Sequence, residues 1–137
     1  MKKETVNLIN KIAKKDKAII AAYVFGSQIK DRANKYSDVD IAILFDDELM
    51  KEGYGEHQLK LTTELTEVLN KEIDLIVLNR APIFLKYHIL KDGVKIYERP
   101  DRREHNFEAR AIIEYFDFLP MKNKMEEGML KSIKEGY

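Results

Sequence analysis

Asp38 and Asp40 stand two apart at the opening of an apolar segment that continues through Val39, Ile41, Ile43 and Phe45. Strict alternation over such a stretch predicts a strand, Asp38 to Phe45, and puts both carboxylates on the face shared by Ala42 and Leu44. Their Cα atoms then lie roughly 6.6 Å apart, at the mouth of the strand rather than in its middle. Upstream, the run Ala18 to Phe25 is continuously apolar and stops at Gly26-Ser27. An unbroken run of that length, rich in β-branched and aromatic residues, reads as a buried strand. The chain must therefore fold around a sheet that carries a glycine turn and a pair of acids at strand ends.

The remaining segments alternate in type. Residues 3 to 15 carry Val6, Leu8, Ile9, Ile12 and Ala13 at helical spacing, and Gln28 to Lys35 fits a short polar helix. Asp46 to Gly55 is acidic and reads as a loop. His57 to Asn70 repeats Leu61, Leu65, Val68 and Leu69 as a helix, and Glu72 to Leu78 forms a third strand in which Asp74 is the only charged residue between its ends. Pro82 opens a helix to about Lys91; Asp92-Gly93 then turns the chain into a short strand, Val94 to Tyr97. A long helix is predicted from about Asp101 to Leu119, interrupted at Pro120, with a last helical stretch beyond. Strands alternating with helices imply an α/β or α+β fold with one mixed sheet flanked by helices and closed by C-terminal helices.

Composition narrows the function. One domain over residues 1–137 is expected at this length, with a C-terminal helical segment from about 101. There is no cysteine, which excludes disulfides, thiolate zinc sites and a cysteine nucleophile. Lys and Arg total 24 against 24 Asp and Glu, which argues against sequence-specific or nonspecific nucleic-acid binding as the function. The longest apolar run is far short of the ~20 residues that span a bilayer, and the N-terminus lacks a secretory h-region. A cytoplasmic protein with no membrane role is the expectation.

Two carboxylates on one strand face converge on divalent cations, and an all-oxygen donor set favours Mg²⁺ or Mn²⁺ over zinc. If the third strand neighbours the second, Asp74 joins them. Gly26-Ser27, straight after a buried strand, offers backbone N–H groups and a hydroxyl to phosphate oxygens. Two metals and a phosphate cradle suit in-line displacement at phosphorus. Other readings fail on context: an EF-hand would need more oxygen ligands where Ile41 to Leu44 stand, and neither a nucleophile elbow nor a Walker loop matches Gly26 to Ile29.

Gly26-Ser27, ten residues, Asp38-Val39-Asp40 and a later strand aspartate together resemble the polymerase-β-type nucleotidyltransferase superfamily. More narrowly, the segments GSQIKDRANKYSDVDIAILFDD, EIDLIVLN and FEARAIIEYFDFLP resemble the minimal nucleotidyltransferases, the antitoxin halves of HEPN/MNT toxin–antitoxin pairs. That resemblance implies the polymerase-β-like nucleotidyltransferase fold and transfer of AMP from ATP to a tyrosine of a HEPN ribonuclease toxin, with release of pyrophosphate. It implies that Asp38 and Asp40 hold two Mg²⁺ ions, and that Asp74 binds the catalytic one and helps deprotonate the acceptor. Gly26 and Ser27 would take the β- and γ-phosphates. The chain departs from many relatives at Ile29-Lys30-Asp31, where a small residue, a basic residue and glycine are usual. Asp31 brings an acid toward the triphosphate, and Lys30 and Arg32 are the candidate phosphate-binding counterweights.

Two alternatives stand beside this reading: a nucleotidyltransferase of a small hydroxylated molecule, as in aminoglycoside-modifying relatives, and a binding-only antitoxin. Outside the motif, His57, His88 and His105 are isolated in sequence, and Asp46-Asp47-Glu48 reads as a solvated loop. Arg99, Arg102 and Arg103 with Lys95 form a basic cluster that is either a charged helix start or a phosphate or partner contact. Phe107, Ala111, Tyr115 and Phe118 make one stripe of the C-terminal helix, and Ile112, Phe116 and Leu119 a second beside it. A stripe this wide exceeds what one core face needs; the excess is either further core or a partner-binding surface, and on the second reading this helix or the segment after Pro120 docks the partner.

Overall fold

The computed structural model describes residues 2–26 and 39–136, with side chains as far as residue 134. Helix α1 (Lys3–Lys14) leads into strand β1 (Ile19–Phe25), and strand β2 (Val39–Phe45) returns antiparallel to it. Helix α2 (Gly55–Leu69) then crosses over to strand β3 (Ile73–Val77), which lies parallel to β2. Helix α3 (Ile83–Asp92), strand β4 (Val94–Glu98) and helix α4 (Glu104–Gly136) complete the chain. The sheet runs β3-β2-β1-β4, with β4 antiparallel to β1. It is a mixed four-stranded sheet in an α+β fold, as the sequence implies. Asn70 ends α2 in the left-handed conformation (φ 52°), a role its short amide side chain tolerates better than a branched one.

Two apolar layers hold the sheet. On one face Val39, Ile41, Ile43 and Phe45 pack against Ile9 and Ile12 of α1 and Leu61 and Leu65 of α2. On the other, Ala42 and Leu44 meet Tyr23, Phe25, Ile89 of α3 and Phe107 of α4. A bulge in β1 between Ile19 and Ala21 sets which residues go where. It sends Ile19 to the first face but Ala21, Tyr23 and Phe25 to the second, so that Phe25 shares the face of Asp40.

Two expectations need correction. Helix α4 passes through Pro120 without a break, so the C-terminal segment is one helix of 33 residues starting at Glu104. Proline removes one backbone donor, and Pro120 and Phe116, four residues before it, are both exposed, so the lost bond costs little burial. The acidic run after β2 is not simply a solvated loop. Asp46 is buried, accepts from the backbone N–H of Glu48 to cap a short 3-10 turn (Asp47–Leu49), and pairs with Arg99 at 3.1 Å and Arg103 at 3.4 Å. That pairing also resolves most of the basic cluster: Arg99 and Arg103 tie β4 and α4 to the end of β2 remote from Asp40.

Helix α4 is anchored at its base by charge. Lys95 of β4 donates to Glu104 at 3.0 Å and to Glu108 at 3.3 Å, and Glu108 also accepts from the Tyr23 hydroxyl at 2.9 Å. Burial alone would lower the Lys95 ammonium, but its bonds to Glu104 and Glu108 raise it above the usual lysine value. Farther along, Tyr115 stacks on Tyr87 of α3 with ring centroids 3.8 Å apart. Beyond Lys122, whose ammonium sits over the Phe84 ring, Met125, Met129, Leu130 and Ile133 are all exposed. Among the described residues, no helix is long and apolar enough to cross a membrane.

Gly93 sits where the chain turns from α3 into β4. A Cβ there would come 2.5 Å from the Ile89 carbonyl oxygen and 3.3 Å from that of Val24, both backbone atoms. Gly93→Ala is expected to destabilise the protein by about 1–3 kcal/mol, measured by urea unfolding, because neither carbonyl can move without breaking its ladder or helix.

Acid should loosen the β4–α4 junction. The Glu104 hydrogen bond, then Lys95, holds the Glu98 carboxyl below its ordinary value, and Arg99 does the same for Asp101. Carboxylates lowered in the folded state stabilise it above their unfolded pKa values, and that contribution is lost as pH falls through the lowered ones. Urea midpoints should hold near neutrality and decline below about pH 4. In Arg99→Gln the neutral plateau should be lower and the acid decline shallower.

Candidate active site

The parallel register of β2 and β3 pairs Asp40 directly with Asp74. Neighbouring strands lie about 4.8 Å apart, so the two carboxylates leave the same sheet face side by side. Both are partly buried, each flanked along its strand by core residues: Val39 and Ile41 around Asp40, Ile73 and Leu75 around Asp74. On the other side of β2, Phe25 is the register partner of Asp40. The chain passes from Phe25 directly into the exposed Gly26, so the end of β1 delivers that glycine beside the acids. Gly26, Asp40 and Asp74 are thus gathered at one end of the sheet from three strands.

Local sequence explains why each sits there. Alternation puts Asp40 on the side of Ala42 and Leu44, and Asp74 on the side of Ile76, away from the layer built on α1 and α2. The crossover through α2 makes β3 parallel to β2, which brings both strand openings to the same end. Among the described residues, a Cβ at Gly26 would meet nothing within 4 Å. Ser27, Lys30, Arg32 and Asp38, together with Asp31 and the helix expected over Gln28 to Lys35, lie outside the described residues.

The donor set at this end is carboxylate oxygen, the chemistry that hard divalent cations take. None of the three histidines is part of it. His57 contacts Asp16 at 2.6 Å, His88 lies 3.8 Å from Asp92, and His105 stands between Glu98 and Glu104. Each has a carboxylate neighbour, which sequence spacing alone did not reveal for His57, whose partner is 41 positions away. The group at Glu98, Glu104 and His105 was likewise missed, because a strand end and a helix start contribute to it. A glutamate–histidine pair opening a helix just after a strand is the signal that would have flagged it.

A family model described as polymerase beta, nucleotidyltransferase matches residues 7–102. The protein adenylyltransferase MntA of Aphanizomenon flos-aquae is 24% identical over 117 residues, spanning 81% of this chain and 75% of the relative. A putative protein adenylyltransferase of Methanocaldococcus jannaschii is 35% identical over 78 residues, spanning 55% of this chain and 76% of the relative. Among solved structures, the MNT antitoxin complexed with tri-AMPylated HEPN toxin from Shewanella oneidensis superposes with a TM-score of 0.68 at 20% identity. The match covers 95% of this chain and 99% of that one, which establishes a shared fold. The matched family segment takes in Gly26, Asp40 and Asp74 and more than half of the chain, which therefore belongs to the polymerase beta nucleotidyltransferase family.

Proposed function

We propose that this single-domain chain is an antitoxin adenylyltransferase that transfers AMP from ATP to a tyrosine hydroxyl of a cognate HEPN toxin. The observation that carries the reading is the register pairing of Asp40 with Asp74, with Gly26 delivered beside them. The protein adenylyltransferase names of relatives from two organisms, and the AMPylated toxin in the superposed complex, support the choice of substrate and acceptor.

Asp38, Asp40 and Asp74 would hold two Mg²⁺ ions, or Mn²⁺ in their place, which supply charge neutralisation at the triphosphate. Gly26 and Ser27 bind the β- and γ-phosphates through backbone N–H groups and a hydroxyl, with Lys30 and Arg32 adding positive charge against Asp31. Asp74 accepts the proton of the acceptor hydroxyl. The tyrosine oxygen then forms its bond to the α-phosphorus in line with the departing oxygen, and the bond to the β-phosphate breaks to release pyrophosphate. The apolar layer of Val39, Ile41, Ile73 and Leu75 keeps the two strands in register while charge changes at their ends.

The test is incubation of the toxin partner with Mg²⁺, ATP labelled at the α-phosphate and this protein. Label should appear on a toxin tyrosine. Asp40→Asn and Asp74→Asn should each cut transfer by on the order of 10²–10³ or more while leaving the thermal unfolding profile folded and cooperative. Label confined to small molecules would instead identify a small-molecule nucleotidyltransferase, and tight complex formation without label a binding-only antitoxin.

The exposed stripe after Pro120 is the surface assigned to the toxin. Met125, Met129 and Ile133 continue, past the body of the domain, the side of α4 that packs through Phe107 and Ala111. A chain ending at Leu119 should keep the sheet and α1 to α3 folded by circular dichroism and bind the toxin at least tenfold more weakly.

A further inference from the structure

A second cluster of ligating groups lies at the opposite end of the sheet from the aspartate pair. Glu98 ends β4 in register with Ala21, four positions along β1 from the partner of Asp40, or about 13 Å. Nε2 of His105 lies 3.7 Å from Oε2 of Glu98 and 3.6 Å from Oε2 of Glu104. One ligand atom from each of the three falls within 4.8 Å of the other two.

Glu104 shows that something is owed here. Its side chain is fully buried; Oε2 accepts from Lys95 and lies 3.6 Å from His105, and the carboxyl also hydrogen-bonds Glu98. Among the described residues, Oε1 is buried as well and has no hydrogen-bond partner. An orphaned carboxylate oxygen in that position costs free energy unless a cation or donor meets it. The charges point the same way. Glu98, Glu104 and Glu108 converge on the single ammonium of Lys95, at 3.5, 3.0 and 3.3 Å. One ammonium thus serves three carboxyl groups, two of which, Glu98 and Glu104, also share a hydrogen bond. Arg102 is exposed and acts on Glu98 only through space.

Geometry selects the class of ion. Metal–ligand bonds of about 2.0–2.1 Å in a tetrahedral site place ligand atoms roughly 3.4 Å apart, a few tenths of an ångström from the separations at His105. An imidazole beside carboxylates suits a borderline cation, whereas Mg²⁺ demands an octahedral oxygen shell. Glu98 and His105 are partly exposed, which gives the ion a way in and leaves a coordination position for water. Lys95 can stay on Oε2 of Glu104 and on Glu108, orienting the ligands from outside.

We propose that Glu98, Glu104 and His105 form a Zn²⁺-binding site that clasps the end of β4 to the first turn of α4, separate from the aspartate site. The assignment does not depend on the adenylyltransferase reading. It is tested by isothermal titration with Zn²⁺ alone, on the full chain carrying Asp40→Asn and Asp74→Asn so that the aspartates do not compete. One ion per chain should bind saturably and raise the melting temperature. Added singly, His105→Ala and Glu98→Gln should each weaken binding at least tenfold, and His57→Ala should leave it unchanged. The proposal is overturned by an absence of saturable binding to the folded chain, by binding that survives either His105→Ala or Glu98→Gln, or by equal affinity for Mg²⁺.

Discussion

The parallel pairing of β2 with β3 is the constraint from which the rest of the architecture follows. Two aspartates on neighbouring strands repel, and nothing in their own chemistry would hold them opposite one another. What holds them is the apolar ladder on either side: Val39 with Ile73, Ile41 with Leu75, Ile43 with Val77. A slip of one residue would turn that whole set away from α1 and α2 and expose it to water. Burial of six branched side chains, at ~1.5–3 kcal/mol each, outweighs a single like-charge contact at a solvated strand end. The acids are therefore held side by side by a core that does not itself take part in the chemistry.

Much of this was legible in the residues, and what was not has a physical reason. Strand β2 announced itself through alternation, because one of its faces carries acids; Asp74 betrayed the face of β3 in the same way. Helix α2 followed from the spacing of Leu61, Leu65, Val68 and Leu69, while its left-handed end at Asn70 is seen only in the structure. Strand β1 was visible as a strand, but its unbroken apolar run hid the bulge between Ile19 and Ala21, since no polar residue marks which face is which. The proximity of Asp40 and Asp74 could only be conditional in the sequence. Register is a non-local property, fixed once α2 crosses over and the two hydrophobic sets find each other.

Charge misled more than hydrophobicity did. Asp46 looked like part of a solvated acidic run, yet Arg99 and Arg103 approach it from residues more than fifty positions later. A local window sees three acids in a row and cannot see the two guanidiniums. The same blindness applied to Lys95, which read as part of a basic patch and is instead surrounded by three glutamates. The net charge of zero thus conceals local groupings: glutamates gathered around Lys95 and arginines turned toward Asp46.

Helix α4 links these groupings. Its first turns are held by Glu104 and Glu108 on Lys95 and Tyr23, and Tyr23 lies on the same face of β1 as Phe25, two residues before the glycine turn. The hydroxyl of Tyr23 is pushed far above its usual range, first by burial and then by the Glu108 carboxylate it bonds, so it stays a donor throughout the physiological range. Glu108 thus joins Lys95 of β4 and Tyr23 of β1 to the first turns of the same helix. Proline at 120 leaves the far half of the helix without one backbone donor, while Tyr115 against Tyr87 fixes the half before it. The charge-anchored base and the exposed, methionine-rich extension are parts of one continuous helix, the first held by Lys95 and Tyr23 and the second beyond the reach of the sheet.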